Sequence, residues 1–147
     1  MTTGLSFSDF DLFNQFINEP SLAFTFEQNM FKMADDKLAN YNSGAWKSYT
    51  FSNGAVCAVP PIMDNYTLGT FSQYEDANFG KSDSARLACG LALTELLLNW
   101  IGTMLYNKNR MDEAKIMFNR KEMMYTLIDD KTLFNEQQQT AHYYFTD

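Results

Sequence analysis

The spacing of apolar positions changes period several times along this chain. Phe10, Phe13 and Ile17 recur at three- and four-residue intervals, and Ser6 with Asp9 supplies an N-cap signal. This predicts a helix over about 7–18, stopped by Pro20, whose ring pushes Glu19 out of helical geometry. A second helix is predicted over about 21–40, with Phe26, Met30, Met33 and Tyr41 on one stripe and Lys32, Asp36 and Asn40 away from it. Gly44 closes that region. The period then becomes two. Residues 46–52 and 55–59 flank Asn53-Gly54, a pair suited to a type I′ turn because both central residues there take positive φ. Pro60-Pro61 end the second strand, since neither can donate to a ladder. Residues 66–74 read as a third strand and 75–81 as a loop.

The helix predicted over about 84–106 is the centre of the fold. Leu87, Leu91, Thr94, Leu98, Ile101 and Leu105 advance by alternating four and three, and Ala88, Ala92, Leu93, Leu96, Leu97, Trp100 and Met104 fill the other sides. A helix apolar nearly all round is a buried one. Ser82 or Asp83 is its N-cap. A last helix is predicted over about 110–128, starting at Asn109, with Ala114, Met117, Phe118, Met124, Tyr125 and Ile128 facing inward. The tail from 132 ends in Tyr143, Tyr144 and Phe145 and reads as either a strand or docked coil. Together these elements predict an α+β fold. A small antiparallel β-meander of three or more strands packs on the long buried helix, and further helices flank it. One domain spans 1–147, with 1–20 as a helical arm and 130–147 as a tail.

Composition narrows the chemistry. Hydrophobic residues make up 46%, aromatics 16% and charged residues 20%, which is globular composition. A single His and two Cys exclude imidazole or thiolate clusters, no four-ligand metal spacing exists, and no Asp-rich loop matches a calcium site. No metal and no cofactor is expected. The net charge of −7 opposes nonspecific nucleic-acid binding. A charge mimic of DNA needs dense carboxylate rows, whereas Asp35-Asp36, Glu75-Asp76, Asp112-Glu113 and Asp129-Asp130 are isolated doublets, as on a solvated acidic surface. Cys57 and Cys89, in apolar surroundings, read as small buried hydrophobes, with pairing as the other option. The N-terminus lacks the basic region of a signal peptide, and Thr94, Glu95 and Asn99 make a membrane span across 87–105 costly. A cytoplasmic protein without membrane contact is expected.

Several constellations have two readings. Gly80-Lys81-Ser82 enters a helix as a phosphate loop does, but Glu75 occupies the position that needs Gly, so a Lys before an ordinary N-cap is the better account. His142 has no accompanying nucleophile elbow and reads as a tail or partly packed residue. Glu95 and Asn99, one turn apart, mark either a polar pocket or the narrow solvent edge of the buried helix. The bases Lys108, Arg110, Lys115, Arg120 and Lys121 interleave with Asp112, Glu113 and Glu122, the pattern of a solvated mixed face. Met104, Met111, Met117, Met123 and Met124 serve either as core filling or as an adaptable binding surface.

The order of elements carries a resemblance. Tyr41-Asn42-Ser43-Gly44-Ala45-Trp46, then Phe51-Ser52-Asn53-Gly54, then Ala58-Val59-Pro60 are similar to segments of the ArdB/KlcA antirestriction family. Ser82-Asp83-Ser84-Ala85 and Cys89-Gly90-Leu91 stand where that family begins its long apolar helix. Asp112-Glu113-Ala114-Lys115-Ile116-Met117-Phe118 and Leu127-Ile128-Asp129 look like its closing helix, with different spacing. The resemblance spans about 26–129. Gly44-Ala45 replaces a double Gly, Ala55 replaces the Gly after Asn53-Gly54, and 130–147 has no counterpart.

The resemblance implies a phage or plasmid protein that blocks DNA cleavage by host type I restriction–modification systems in the bacterial cytoplasm. It would act by protein–protein contact and without catalysis. The partner is then a host defence complex, and no direct nucleic-acid binding is expected. The residues expected to carry contact are Asn53 and Gly54 at the hairpin tip, Glu75 and Asp76 in the following loop, and Asp129 and Asp130, with Asp129 matching the family's terminal acid. Three other classes stay open. One is an inhibitor of a different defence system, such as a CRISPR effector. Another is a small enzyme with a carboxylate-only site built from Glu75, Asp76 or Glu95. The third is a host structural or adaptor domain with no defence role.

Overall fold

The apolar run that begins after Ser82 folds as one helix, α2, Asp83–Asn107. Its N-cap is Ser82, whose Oγ accepts from the Ala85 N–H at 3.1 Å. The computed structural model describes residues 5–9, 20–69 and 76–146. Within them, β1 (Ser8–Asp9) is followed by α1 (Pro20–Lys37), β2 (Lys47–Thr50), β3 (Val56–Val59), β4 (Tyr66–Leu68) and β5 (Ala77–Gly80). After α2 come α3 (Met111–Tyr125), a 3₁₀ turn (Leu127–Asp129) and α4 (Glu136–Thr146). The fold is α+β, with the long buried helix packed on small antiparallel sheets as expected.

Two sheets form among the described residues, β1-β2-β3 and β4-β5. β2 and β3 are antiparallel from Lys47↔Val59 to Thr50↔Val56. All four residues of β3 are buried, because α2 lies along its free edge. The Ala58 N–H donates to Thr94 Oγ1 at 3.0 Å, and that hydroxyl donates to the Gly90 carbonyl at 2.8 Å. The helix therefore satisfies a strand donor that would otherwise be buried without a partner. The approach is so close that a Cβ on Gly90 would stand 2.0 Å from the Ala58 carbonyl oxygen. Cys57 and Cys89 are both buried and free, and burial pushes both thiols up. By length and composition α2 would also pass for a membrane span, but sixteen of its residues are buried against the rest of the protein.

Several sequence expectations change. The predicted helix over 7–18 begins instead as β1, because Ser8 and Asp9 pair with Ser48 and Lys47. The Ser48 hydroxyl donates to the Asp9 carbonyl at 2.9 Å and Lys47 Nζ to Asp9 Oδ1 at 3.1 Å. Residues 10–18 of that predicted helix lie outside the described residues, as do 70–74 of the predicted third strand. That strand pairs with β5 rather than extending the first sheet, and β5 occupies most of the predicted 75–81 loop. Helix α1 ends at Lys37 rather than 40, where Asn40 turns to φ +64. Asn109 likewise has φ +61, so α3 starts at Met111 and not there.

The hairpin is not type I′. Gly54 has φ +89, whereas Asn53 is absent from the residues with positive φ. The Gly54 N–H donates to the Phe51 carbonyl at 2.9 Å and the Phe51 N–H to the Ala55 carbonyl at 2.8 Å. This is a three-residue loop with glycine at its bulge. Tyr125, expected inward, is exposed, while Ala114, Met117, Met124 and Ile128 are buried as expected. The tail is neither strand nor coil but the helix α4.

The seam between α2 and β3 predicts two costs in urea denaturation. Gly90→Ala should lower stability by about 3 kcal/mol, since backbone faces the new methyl. Thr94→Val, which strands the Ala58 N–H, should cost about 1–3 kcal/mol. Gly102→Ala should cost less than Gly90→Ala, because its Cβ would meet only the Phe118 ring, at 2.7 Å, and a side chain yields where backbone does not. A Gly90→Ala protein as stable as the parent would rule out the seam.

Candidate functional site

The surface around α4 gathers most of the chemistry. The helix starts because Asn135 and Gln138 cap it reciprocally. The Asn135 N–H donates to Gln138 Oε1 and the Gln138 N–H to Asn135 Oδ1, each at 2.9 Å. Gln138, Ala141, His142 and Phe145 are buried at helical spacing. The Gln138 amide also reaches Ser84 Oγ at 3.1 Å, which ties α4 to the first turn of α2.

Beneath α4, His142 Nε2 bonds Glu95 Oε2 of α2. The two residues are 0% and 2% exposed, so Glu95 is not the solvent edge of its helix and His142 is not a loosely packed tail residue. The edges of the Tyr125 and Tyr143 rings pack around the imidazole, at centroid distances of 6.2 and 5.4 Å. Glu95 Oε1 and His142 Nδ1 have no hydrogen-bond partner among the described residues. Glu95 also borders a cavity of about 100 Å³ with Leu96, Asn99, Lys121, Tyr125 and Thr146. Asn99 is thus beside Glu95 in a polar pocket, the other of its two sequence readings.

The two edges of α4 differ. Gln137, Thr140 and Tyr144 lie along one edge and, with Asp76, Asn78 and Glu136, line a groove of about 360 Å³. Gln137 Nε2 donates to the Asn78 carbonyl at 3.2 Å across its floor. Along the other edge, Gln139 Nε2 donates to the Ile128 carbonyl at 3.1 Å and the Tyr143 hydroxyl to Asp129 Oδ1 at 2.7 Å. The Asp129 bond raises the Tyr143 hydroxyl to about 12, since the carboxylate holds its proton.

The sequence-predicted contact residues therefore divide. Asp76 and Asp129 both border α4, on different edges. Asp130 is beside Asp129, and bonds from the Thr132 hydroxyl and N–H hold its carboxyl below the usual range. Asn53 and Gly54 are exposed at the hairpin tip, but the Asn53 amide donates to the Met123 carbonyl of α3 at 3.0 Å, and its Oδ1 accepts from the Ala55 N–H. Asn53 is an anchor of the hairpin more than an outward contact. Glu75 lies outside the described residues. The pair Glu95–His142 was missed as a pair because the two are 47 positions apart. The available signal was the Asn135-x-x-Gln138 capping box ahead of a helical apolar stripe.

No protein-family model and no curated protein matches this chain. What the site can do rests on its own geometry. The buried pair is a clamp between two helices, with its imidazole enclosed by rings, while the α4 groove and the Asp129 edge face outward.

The clamp has a pH signature. Burial is the largest influence on the Glu95 carboxyl and raises it, the His142 bond and charge and Lys121 oppose the rise, and Glu122 adds to it. Between the ordinary carboxyl value of 4.5 and the raised value, the folded state holds a proton that the unfolded state has lost. Stability from this group is complete below that range and falls as pH rises through it, by at most about 1.4 kcal/mol per pH unit. Glu95→Gln should remove this slope. The check is the urea midpoint of both proteins across the acidic to neutral range. Parallel pH curves for parent and variant would refute the assignment.

Proposed function

We propose that this protein is an antirestriction protein of a phage or plasmid that blocks DNA cleavage by type I restriction–modification systems, acting by contact with the defence complex and not by catalysis. The observation that carries the contact mode is the exposure of large aromatic rings on the three C-terminal helices. Trp100, Tyr106, Tyr125 and Tyr144 are 47%, 54%, 42% and 37% exposed. Tyr and Trp are the residues most enriched where protein surfaces bind each other tightly.

The resemblance to the ArdB/KlcA family supports the target, and the residues that carry it have structural work here. Trp46 Nε1 donates to the Tyr41 hydroxyl at 3.0 Å, Asn53 fastens the hairpin, Gly90 admits the Ala58 carbonyl, and Ala114 and Ile128 are buried. Shared residues of this kind define a scaffold. The exposed doublets Asp35-Asp36 and Asp129-Asp130 are each followed in sequence by a lysine, Lys37 and Lys131, which favours contact over imitation of a phosphate backbone.

A second reading draws on Glu95, a carboxyl with a raised pKa beside a cavity, as an acid catalyst would be. The 100 Å³ there is small against the roughly 300–1,000 Å³ of common ligand sites. Contact is therefore the preferred reading.

The test is plating of unmodified phage on hosts carrying either an isolated type I system or an isolated CRISPR system, with and without this protein. Protection in the type I host alone is expected. Protection only against CRISPR would move the target, and none in either would end the anti-defence reading. Tyr125→Ala and Tyr144→Ala should each weaken capture of the purified defence complex by about tenfold. Glu95→Gln should leave protection intact, whereas its loss in a folded variant would favour the enzyme.

A further inference from the structure

Arg86 lies one turn into α2 and is 7% exposed. Its Nε donates to the Pro60 carbonyl at 2.6 Å, and the guanidinium stands 4.9 Å from the centroid of the Phe7 ring. Beyond those contacts its two Nη groups donate to no atom of the described residues, and no carboxylate pairs with it there. Burial pulls its pKa down, with Tyr66 and Asp83 opposing, yet a guanidinium stays charged at neutral pH. A buried cation with no carboxylate in hydrogen-bond reach among the described residues is costly, and proteins normally pair it.

The guanidinium lines a cleft of about 480 Å³. Phe7, Ala45, Pro61 and Ile62 form apolar walls, and Ser43 and Lys47 contribute polar groups. No acidic residue among the described ones lines it. Lys47 is already engaged with Asp9 at 3.1 Å, which leaves Arg86 as the cleft's cation with no carboxylate in hydrogen-bond reach among the described residues. Ile62, at 83% exposed, stands at the rim.

We propose that this cleft binds a carboxylate carried on an apolar body, namely the terminal carboxylate or an acidic side chain of a partner polypeptide, anchored by the Nη pair of Arg86. A planar carboxylate accepts two parallel bonds from a guanidinium fork. One unpaired cation matches one negative charge. A phosphodiester chain would need several cations and would meet the repulsion of a protein with net charge −7. The walls suit an aliphatic side chain next to the acid, and the volume falls within the range of ordinary ligand sites. This site stands independently of the antirestriction reading, because it needs no defence complex.

The test is an amide-resolved NMR titration of the full chain with N-acetylleucine, its neutral amide and inorganic phosphate. N-acetylleucine should give saturable shifts at Ala45, Lys47 and Ile62 in the millimolar range, and the amide should bind at least about tenfold more weakly. Arg86→Met should lose the acid-specific binding, and Arg86→Lys should recover only part of it, since a lysine lacks the fork. Should Arg86→Met fail to fold, the comparison of acid with amide on the unaltered chain decides the matter alone. Equal binding of acid and amide, tighter binding of phosphate, or no saturation by about 50 mM would each overturn the proposal.

Discussion

Everything in this fold is arranged around one close contact, the edge of β3 against α2. A strand buried on every side must still place each N–H and carbonyl. Here Thr94 takes the role of the missing neighbour for Ala58, and Gly90 lets the helix come near enough for it to do so. That requirement explains why an almost wholly apolar helix carries a threonine at its middle and a glycine one turn earlier. It also explains how a four-residue strand at the edge of a sheet can be entirely buried. The hairpin, α1 and α3 then assemble on a helix whose position the strand has already set.

Much of this was legible in the residues, and the misses have physical causes. The long helix, its Ser82 cap and the β2–β3 pair follow from period and turn chemistry, which are local. At the start of the predicted N-terminal helix, local preference loses to pairing. Phe10, Phe13 and Ile17 have helical spacing, yet Ser8 and Asp9 join a sheet whose edge lies about 40 positions away in sequence. The hairpin turn was misassigned because Asn53-Gly54 fits two loop lengths, and the choice came from the bond Asn53 makes to α3. The tail was unreadable through its glutamines, although Asn135 and Gln138 together form a legible start signal. Glu95 looked like a solvent edge because nothing near it in sequence announces a partner.

The outward-facing groups follow the same logic. Three of the residues expected to make contacts are engaged in fixing their own surroundings. Asp129 holds a tyrosine, Asp130 closes a turn, and Asn53 holds a helix carbonyl. Trp100, Tyr106, Tyr125 and Tyr144 keep part of their rings exposed, and the buried Arg86 guanidinium faces a cleft.

The buried bond between α2 and α4 also acts as a vernier. Two smooth apolar helices can slide along each other by a turn with little loss of contact. These two cannot, because a slide would bring Gln138 or Phe145 opposite Glu95 in place of the imidazole and leave a desolvated acid without its mate. The longitudinal setting of α4 is thereby fixed from within. The alignment of Tyr143 with Asp129, and of Tyr144 with the strand beside it, is inherited from a pair of atoms no solvent reaches.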